Sequence, residues 1–214
     1  MTIRLKIDPA KPDDKTLAEA EEILRAGGVV AFPTETFYGL GADAHREAAV
    51  EKIFRLKGRA VQNPISVIVD SGDGVIPLVE KLPEAAKILM QRFWPGALTI
   101  VFAASPAVLP RLTAGTGKIG IRVSSHPIAR LIAKMLAGPL TATSANLSGG
   151  QECSTVREVL RAFDNGIDAV IDGGTTTGGL GSTIMDVTVS PPLILREGVV
   201  SRADILDALG TPLR

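Results

Sequence analysis

With 214 residues, 45% of them hydrophobic and 21% charged, the chain has enough apolar material for one organised core and too little polar excess for extensive disorder. Its 23 basic and 23 acidic residues cancel, so net charge offers no long-range attraction to a nucleic-acid backbone or an acidic membrane, and any anion has to be gripped by a local cluster. The single cysteine, Cys153, excludes an internal disulfide and a cysteine-rich metal site, and the lack of a signal-like N-terminus or a long apolar run predicts a cytoplasmic protein without a membrane partner.

Ile3, Leu5 and Ile7 alternate with Arg4 and Lys6, the period of a half-buried strand that Asp8-Pro9 stops. From Thr16 to Ala26 the positions Leu17, Ala20, Ile23 and Leu24 share one helical face, and Gly27-Gly28 ends the helix. Val29 to Phe32 reads as a short buried strand running into the polar turn Pro33-Thr34-Glu35-Thr36. A helix is expected from Glu47 to Lys57, ended by Gly58, and a strand from Ile65 to Val69. Glu84 to Arg92 is predicted helical, Trp94-Pro95-Gly96 breaks the pattern, and Leu98 to Ala103 and Ile119 to Val123 are strands. His126-Pro127 opens a helix to about Leu136, with proline at the favoured first position and His126 expected to help cap it; Leu140 to Thr143 follows as strand. Thr155 and Glu158 have the spacing of a capping box for a helix to Ala162. Ala169 to Ile171, Thr183 to Val187 and Leu193 to Leu195 are strands around the glycine-rich segment Gly173 to Gly181, and Ser201 caps a last helix. This alternation, without repeat or linker, predicts one α/β domain over residues 1–214.

Four strings could carry chemistry. The first, Phe32-Pro33-Thr34-Glu35-Thr36-Phe37-Tyr38-Gly39-Leu40-Gly41, crowds hydroxyls, a carboxylate and glycines at a strand end, where ligands settle in open α/β sheets; the plainer reading is a threonine-rich turn bonding to its own backbone. The second, Lys57-Gly58-Arg59, with Lys52 and Arg55 earlier on the helix, could bring a point charge and a bidentate fork to a polyphosphate, or simply complement the helix dipole. The third, Thr141 to Gly150, is a strand entering a hydroxyl-rich loop whose Ser144 and Asn146 can donate to a nucleotide, or a capped turn. The fourth pairs Gly181-Ser182-Thr183 with Leu195-Arg196-Glu197-Gly198, where Arg196 points to solvent or to an anion. Arg122, inside the apolar strand Ile119 to Val123, needs a carboxylate partner from the protein or from a substrate.

Several familiar machines are absent. Gly115-Thr116-Gly117-Lys118 resembles part of a phosphate-binding loop, but Leu112 stands where the first glycine belongs and Ile119 where Ser or Thr should follow. There is no dinucleotide fingerprint, no nucleophile elbow, and no spacing of His45 and His126 that suits zinc.

Taken in order, the first string, Lys57-Gly58-Arg59, Trp94-Pro95-Gly96, Ser144-Ala145-Asn146-Leu147-Ser148-Gly149 and Ser182-Thr183-Ile184 resemble the YrdC-like family of threonylcarbamoyl-AMP synthases over nearly the whole chain. That resemblance implies an open, twisted, mixed α/β sheet with flanking helices around a deep, positively lined cavity. It also implies an enzyme, a nucleotidyltransferase condensing L-threonine, bicarbonate or CO2, and ATP into threonylcarbamoyl-AMP, with release of pyrophosphate, for tRNA modification. By the same resemblance Lys57, Arg59, Ser144 and Asn146 meet the nucleotide and its phosphates, Lys57 and Arg59 also acting in catalysis, with Arg196 a further nucleotide contact. Thr34, Arg122 and Ser182 hold threonine, and Thr113 and Thr143 line the nucleotide side. Mg2+ arrives with ATP, and the product passes to a downstream tRNA threonylcarbamoyl-transfer machinery, with weak direct RNA or tRNA contact a further expectation.

This chain departs from the family pattern at Ala60, where proline usually follows Lys-x-Arg, and at Asn63, where some members have histidine. Ending at Arg214, it is expected to be the short form without an additional C-terminal domain. Two other readings stand beside this one: an RNA-binding module without catalysis, which six Phe, one Tyr and one Trp support poorly, and a carbamoyl-adenylate-forming carbamoyltransferase.

Overall fold

A computed structural model describes residues 1–58, 60, 62–163 and 165–210 of the chain. Strands and helices alternate through it in the order β1 (Ile3–Lys6), α1 (Asp14–Arg25), β2 (Val30–Pro33), β3 (Tyr38–Gly41), α2 (Glu47–Lys57), β4 (Val67–Ile68), a 3-10 segment (Gly72–Leu78), α3 (Glu84–Phe93), β5 (Leu98–Ala103) and α4 (Pro110–Thr113). There follow β6 (Lys118–Arg122), α5 (Pro127–Leu136), β7 (Leu140–Thr141), β8 (Thr143–Ser144), α6 (Val156–Phe163), β9 (Ala169–Asp172), β10 (Thr183–Asp186), β11 (Leu193–Arg196) and α7 (Arg202–Leu209).

The helix boundaries follow from capping chemistry. The Asp13 carboxylate accepts the Thr16 N–H at 2.8 Å to start α1, and Glu158 Oε2 accepts the N–H groups of Ser154 and Thr155 at 2.8 and 3.0 Å ahead of α6. Ser201 and Asp204 close a reciprocal box on α7. His126 occupies the N-cap position of α5, but its side chain makes no capping bond; its Nδ1 is buried without a partner, against the expectation for this residue. At the other end of α2, Gly58 adopts φ 56°, a left-handed turn that costs glycine nothing and lets the chain reverse after Lys57.

The fold is mixed α/β, as expected, but the strands divide between two sheets. One has the order β1-β9-β2-β3-β8 and the other β11-β10-β5-β6-β4-β7. Each combines parallel and antiparallel pairs: β1, β9 and β2 run parallel, whereas β3 returns antiparallel to β2. In the second sheet β5 and β6 are antiparallel, and β10 and β4 join them in parallel. The expected strand over 140–143 is where the sheets meet. Leu140 and Thr141 pair with β4, Ala142 leaves the ladder to donate to Ser66 O at 2.7 Å, and Thr143 and Ser144 pair with β3 in the other sheet.

Period-two alternation decides which core each strand residue enters. Val30 and Phe32 of β2 pack with Leu17, Ala20 and Leu24 of α1 and with Ile128, Ile132 and Leu136 of α5, while Ala31 between them belongs to the larger core. That larger core collects Val50, Ile53 and Phe54 of α2, Val159 and Phe163 of α6, and the central β5 and β6 residues Ile100, Phe102 and Ile121. Each fully buried side chain of this size contributes about 1.5–3 kcal/mol, so the helices are fixed against the sheets by their apolar stripes. On β1 only Leu5 is buried; Ile3 is 45% exposed, because the strand is the outer edge of its sheet.

Candidate active site

Where the two sheets adjoin, the ends of β3, β4, β5, β6, β8, β10 and β11 surround a cleft partly open to solvent. Its wall carries Thr34, Thr36, Thr99, Thr143, Ser144 and Ser182, together with Arg122, Arg196 and Glu152. Hydroxyl groups and cations therefore dominate a cavity that apolar strands deliver from two directions.

The threonine-rich turn between β2 and β3 satisfies both readings of its sequence. Thr34 Oγ1 donates to Phe37 O at 2.7 Å and accepts the Thr36 N–H at 3.2 Å, so it stabilises its own turn. The same hydroxyl is 3.1 Å from that of Thr36, and both residues line the cleft. Glu35 turns the other way, accepting the Ser124 hydroxyl on Oε2 and placing Oε1 3.3 Å from Arg122 Nη1.

Arg122 is the unusual group. It is 8% exposed in the middle of a sheet, and among the described residues Glu35 is its ion-pair partner while no hydrogen bond engages its guanidinium. Burial pushes it down from the usual arginine value, Glu35 opposes that, and neighbouring Arg196 adds to it; a guanidinium nonetheless keeps its charge in a protein. Its donor fork is thus held beside a cavity with its hydrogen-bonding capacity unspent. Arg196 is fixed differently: Nε and Nη2 donate to Ser182 O at 3.1 and 2.8 Å, and the Ser182 hydroxyl lies 3.0 Å from that of Thr99. Gly198 permits this approach, since a Cβ there would stand 2.1 Å from Gly181 O.

Lys57 lies behind the cleft wall. It is 2% exposed, and its ammonium donates to Ser144 O, to Asn146 O at 2.6 Å and to Asn146 Oδ1 at 3.3 Å. Its carbonyl accepts the Ser148 N–H at 3.0 Å. Asn146 in turn accepts the Ser144 hydroxyl at 2.6 Å and donates to Gly150 O at 2.5 Å. The lysine at the end of α2 therefore straps the 144–150 loop into place. Arg59, the other cation of that string, lies outside the described residues.

Of the residues singled out from sequence, the structure brings Thr34, Arg122, Thr143, Ser144, Ser182 and Arg196 onto one cleft, with Lys57 and Asn146 directly behind it. Thr113 is not on the wall; it is buried at the end of α4, donating to Pro110 O at 3.0 Å. Sequence reasoning did not assign Glu35, Thr36, Thr99 or Glu152. Glu35 sat inside a string already marked, whereas nothing around Glu152 signals that it lines the cleft. Cys153 is buried, and desolvation pushes its thiol up to about 11, which disfavours the thiolate a nucleophile needs.

A family model described as telomere recombination, Sua5/YciO/YrdC, matches residues 22–198. The chain belongs to the Sua5/YciO/YrdC family. A relative from Bacillus subtilis (strain 168), named threonylcarbamoyl-AMP synthase, is 40% identical over 204 residues, which are 95% of this chain and 59% of that protein. Among solved structures, that of Pyrococcus abyssi Sua5 complexed with L-threonine has a TM-score of 0.94 at 35% identity, covering all of this chain and 62% of the other. Escherichia coli YciO has a TM-score of 0.86 at 29% identity, covering 93% of this chain and 97% of its own. The chain thus spans about three fifths of the first two Sua5/YciO/YrdC relatives and nearly the full length of the third.

Proposed function

We propose that the chain is a threonylcarbamoyl-AMP synthase, joining L-threonine, CO2 or bicarbonate, and ATP for the threonylcarbamoylation of tRNA. The observation that carries this reading is Arg122: a buried cation whose donors are unspent, beside a polar cleft, in a family whose relatives bear that name and include one with L-threonine bound. Such a fork takes a carboxylate through two parallel charge-assisted hydrogen bonds. Thr34 and Ser182 supply hydroxyls around the same amino acid.

The nucleotide occupies the opposite side. Thr143 and Ser144 meet it from β8 and Arg196 from β11, while Asn146, whose amide is spent on Ser144 and Gly150, would turn to join them. Lys57 and Arg59 lower the repulsion among the phosphates, together with the Mg2+ that enters with ATP. Thr113, whose hydroxyl is spent on Pro110, would need another rotamer to join them. In the reaction the threonine amine adds to CO2 and loses a proton to solvent, giving N-carboxythreonine. A carbamate oxygen then forms a bond to the α-phosphorus while the bond to the β-phosphate oxygen breaks and pyrophosphate leaves. Two anions must approach, so the enzyme acts by positioning and by neutralising charge. The adenylate passes to a separate tRNA-modifying machinery. No helix among the described residues is long and apolar enough to cross a membrane.

The test is direct. Purified protein given ATP, Mg2+, labelled bicarbonate and single amino acids should yield a labelled threonylcarbamoyl adenylate and matching pyrophosphate with threonine. Pyrophosphate release independent of the amino acid, or RNA binding with no product, would overturn the proposal.

A further inference from the structure

Among the described residues Glu35 is the carboxylate paired with Arg122, and it is unusually well fixed. Its Oε2 accepts the hydroxyl of Ser124, a fully buried residue whose Oγ also accepts the His126 N–H at 3.1 Å at the start of α5. Its Oε1 stands 3.3 Å from Arg122 Nη1 without completing a hydrogen bond. The carboxylate thus supplies charge to Arg122 without saturating its fork. The charged groups acting on Arg122 are Glu35, which favours its charge, and Arg196, which opposes it. His126, also facing Glu35, is driven towards its neutral form by burial against the opposing pull of Glu35.

We propose that Glu35 is a specificity-determining residue: anchored by Ser124, it holds Arg122 and shifts the preference of this end of the cleft away from phosphate and towards one monocarboxylate. The inference rests on the reading that Arg122 receives the amino acid's carboxylate. A cleft that must hold a triphosphate and an amino acid side by side has two cationic ends, and a polyphosphate that slid onto both would block the reaction. A fixed negative charge repels a dianion about twice as strongly as a monoanion at the same distance, so Glu35 penalises phosphate more than carboxylate. Discrimination here is built from a repulsive element as well as an attractive one.

The test uses the full chain without nucleotide and measures L-threonine binding by equilibrium dialysis with increasing inorganic phosphate. Glu35→Gln keeps an oxygen for the Ser124 hydroxyl and removes the charge. Phosphate should then displace threonine at a concentration lower by about 10-fold relative to the threonine Kd, as removal of a near like charge allows. Loosening of Arg122 alone would weaken both ligands and leave that ratio unchanged, which would overturn the inference. Ser124→Ala should shift the ratio the same way by less; if Glu35→Gln does not fold, an unchanged ratio in Ser124→Ala overturns the inference instead. Arg122→Ala separates the two levels. Wild-type threonine affinity in that variant overturns the reading beneath the inference, whereas lost affinity there with an unchanged ratio in Glu35→Gln overturns the inference alone.

Discussion

Two buried cations shape this cleft, and they do different things. Arg122 is held by a carboxylate that leaves its fork open, while Lys57 spends its ammonium on Ser144 and Asn146. The sequence resemblance places Lys57 among phosphate contacts, and the structure shows how it could contribute even from behind the wall, by fixing the loop that carries Ser144. Lys57→Ala removes the ammonium that ties Ser144 O, Asn146 O and Asn146 Oδ1 together, so turnover should fall on the order of 10²-fold and stability by about 2 kcal/mol, read from steady-state rates and denaturant midpoints on the same preparation. Lost rate without lost stability would instead make direct phosphate contact the whole role of Lys57. The cluster around Glu35 was hidden in the sequence because its members come from β6, the start of α5 and the β2–β3 turn. Only the sheet topology brings them together. A lone arginine in an apolar strand signalled that a partner was needed, not which residue supplies it.

At the level of elements, sequence periodicity located α2, β5 and α5 at the residues where they occur, because each carries its own amphipathic or alternating pattern and its own stop. The strands β3 and β8 were not legible. Tyr38–Gly41 contains two glycines and reads as a turn; it is a strand because β2 and β8 pair with it on both sides. The break at Ala142 was equally silent, since an apolar residue flanked by threonines carries no mark of a chain passing between sheets. Close approach of β10 and β11 depends on Gly198. Gly198→Ala would drive a methyl group into the Gly181–Ser182 backbone and should cost about 2 kcal/mol, with loss of the Arg196 contact to Ser182. Gly27→Ala, where nothing lies within 4 Å of the added Cβ, should cost only the strain of its positive φ, about 1 kcal/mol. Equal thermal destabilisation of the two variants would contradict this assignment.

Across the molecule, acid should loosen the same sheets that form the cleft. Burial pushes Asp186 on β10 upward, but hydrogen bonds from Lys118 and Thr188 outweigh it and the carboxyl titrates below its usual value. Asp172 on β9 behaves alike: burial is outweighed chiefly by Arg4, with Gly174 N–H adding to it. Groups held down in the folded state add stability that is fully present above the unfolded value of about 4 and is lost as pH falls through the folded value. Denaturant midpoints should therefore be flat in this respect from neutral pH to about 5 and decline below about 4. Asp186→Asn should be less stable at neutral pH and show a shallower acid decline; an undiminished decline would contradict a role for this carboxyl.

The fold class and six of the cleft-lining residues, Thr34, Arg122, Thr143, Ser144, Ser182 and Arg196, were readable in advance, but the charge balance around Arg122 was not. That balance is most directly tested by a crystal structure with L-threonine and a nonhydrolysable ATP analogue bound. The expected result is a threonine carboxylate hydrogen-bonded to Arg122, with the α-phosphate on the side of Ser144. A carboxylate bound away from Arg122, or phosphate oxygens seated on that guanidinium, contradicts it.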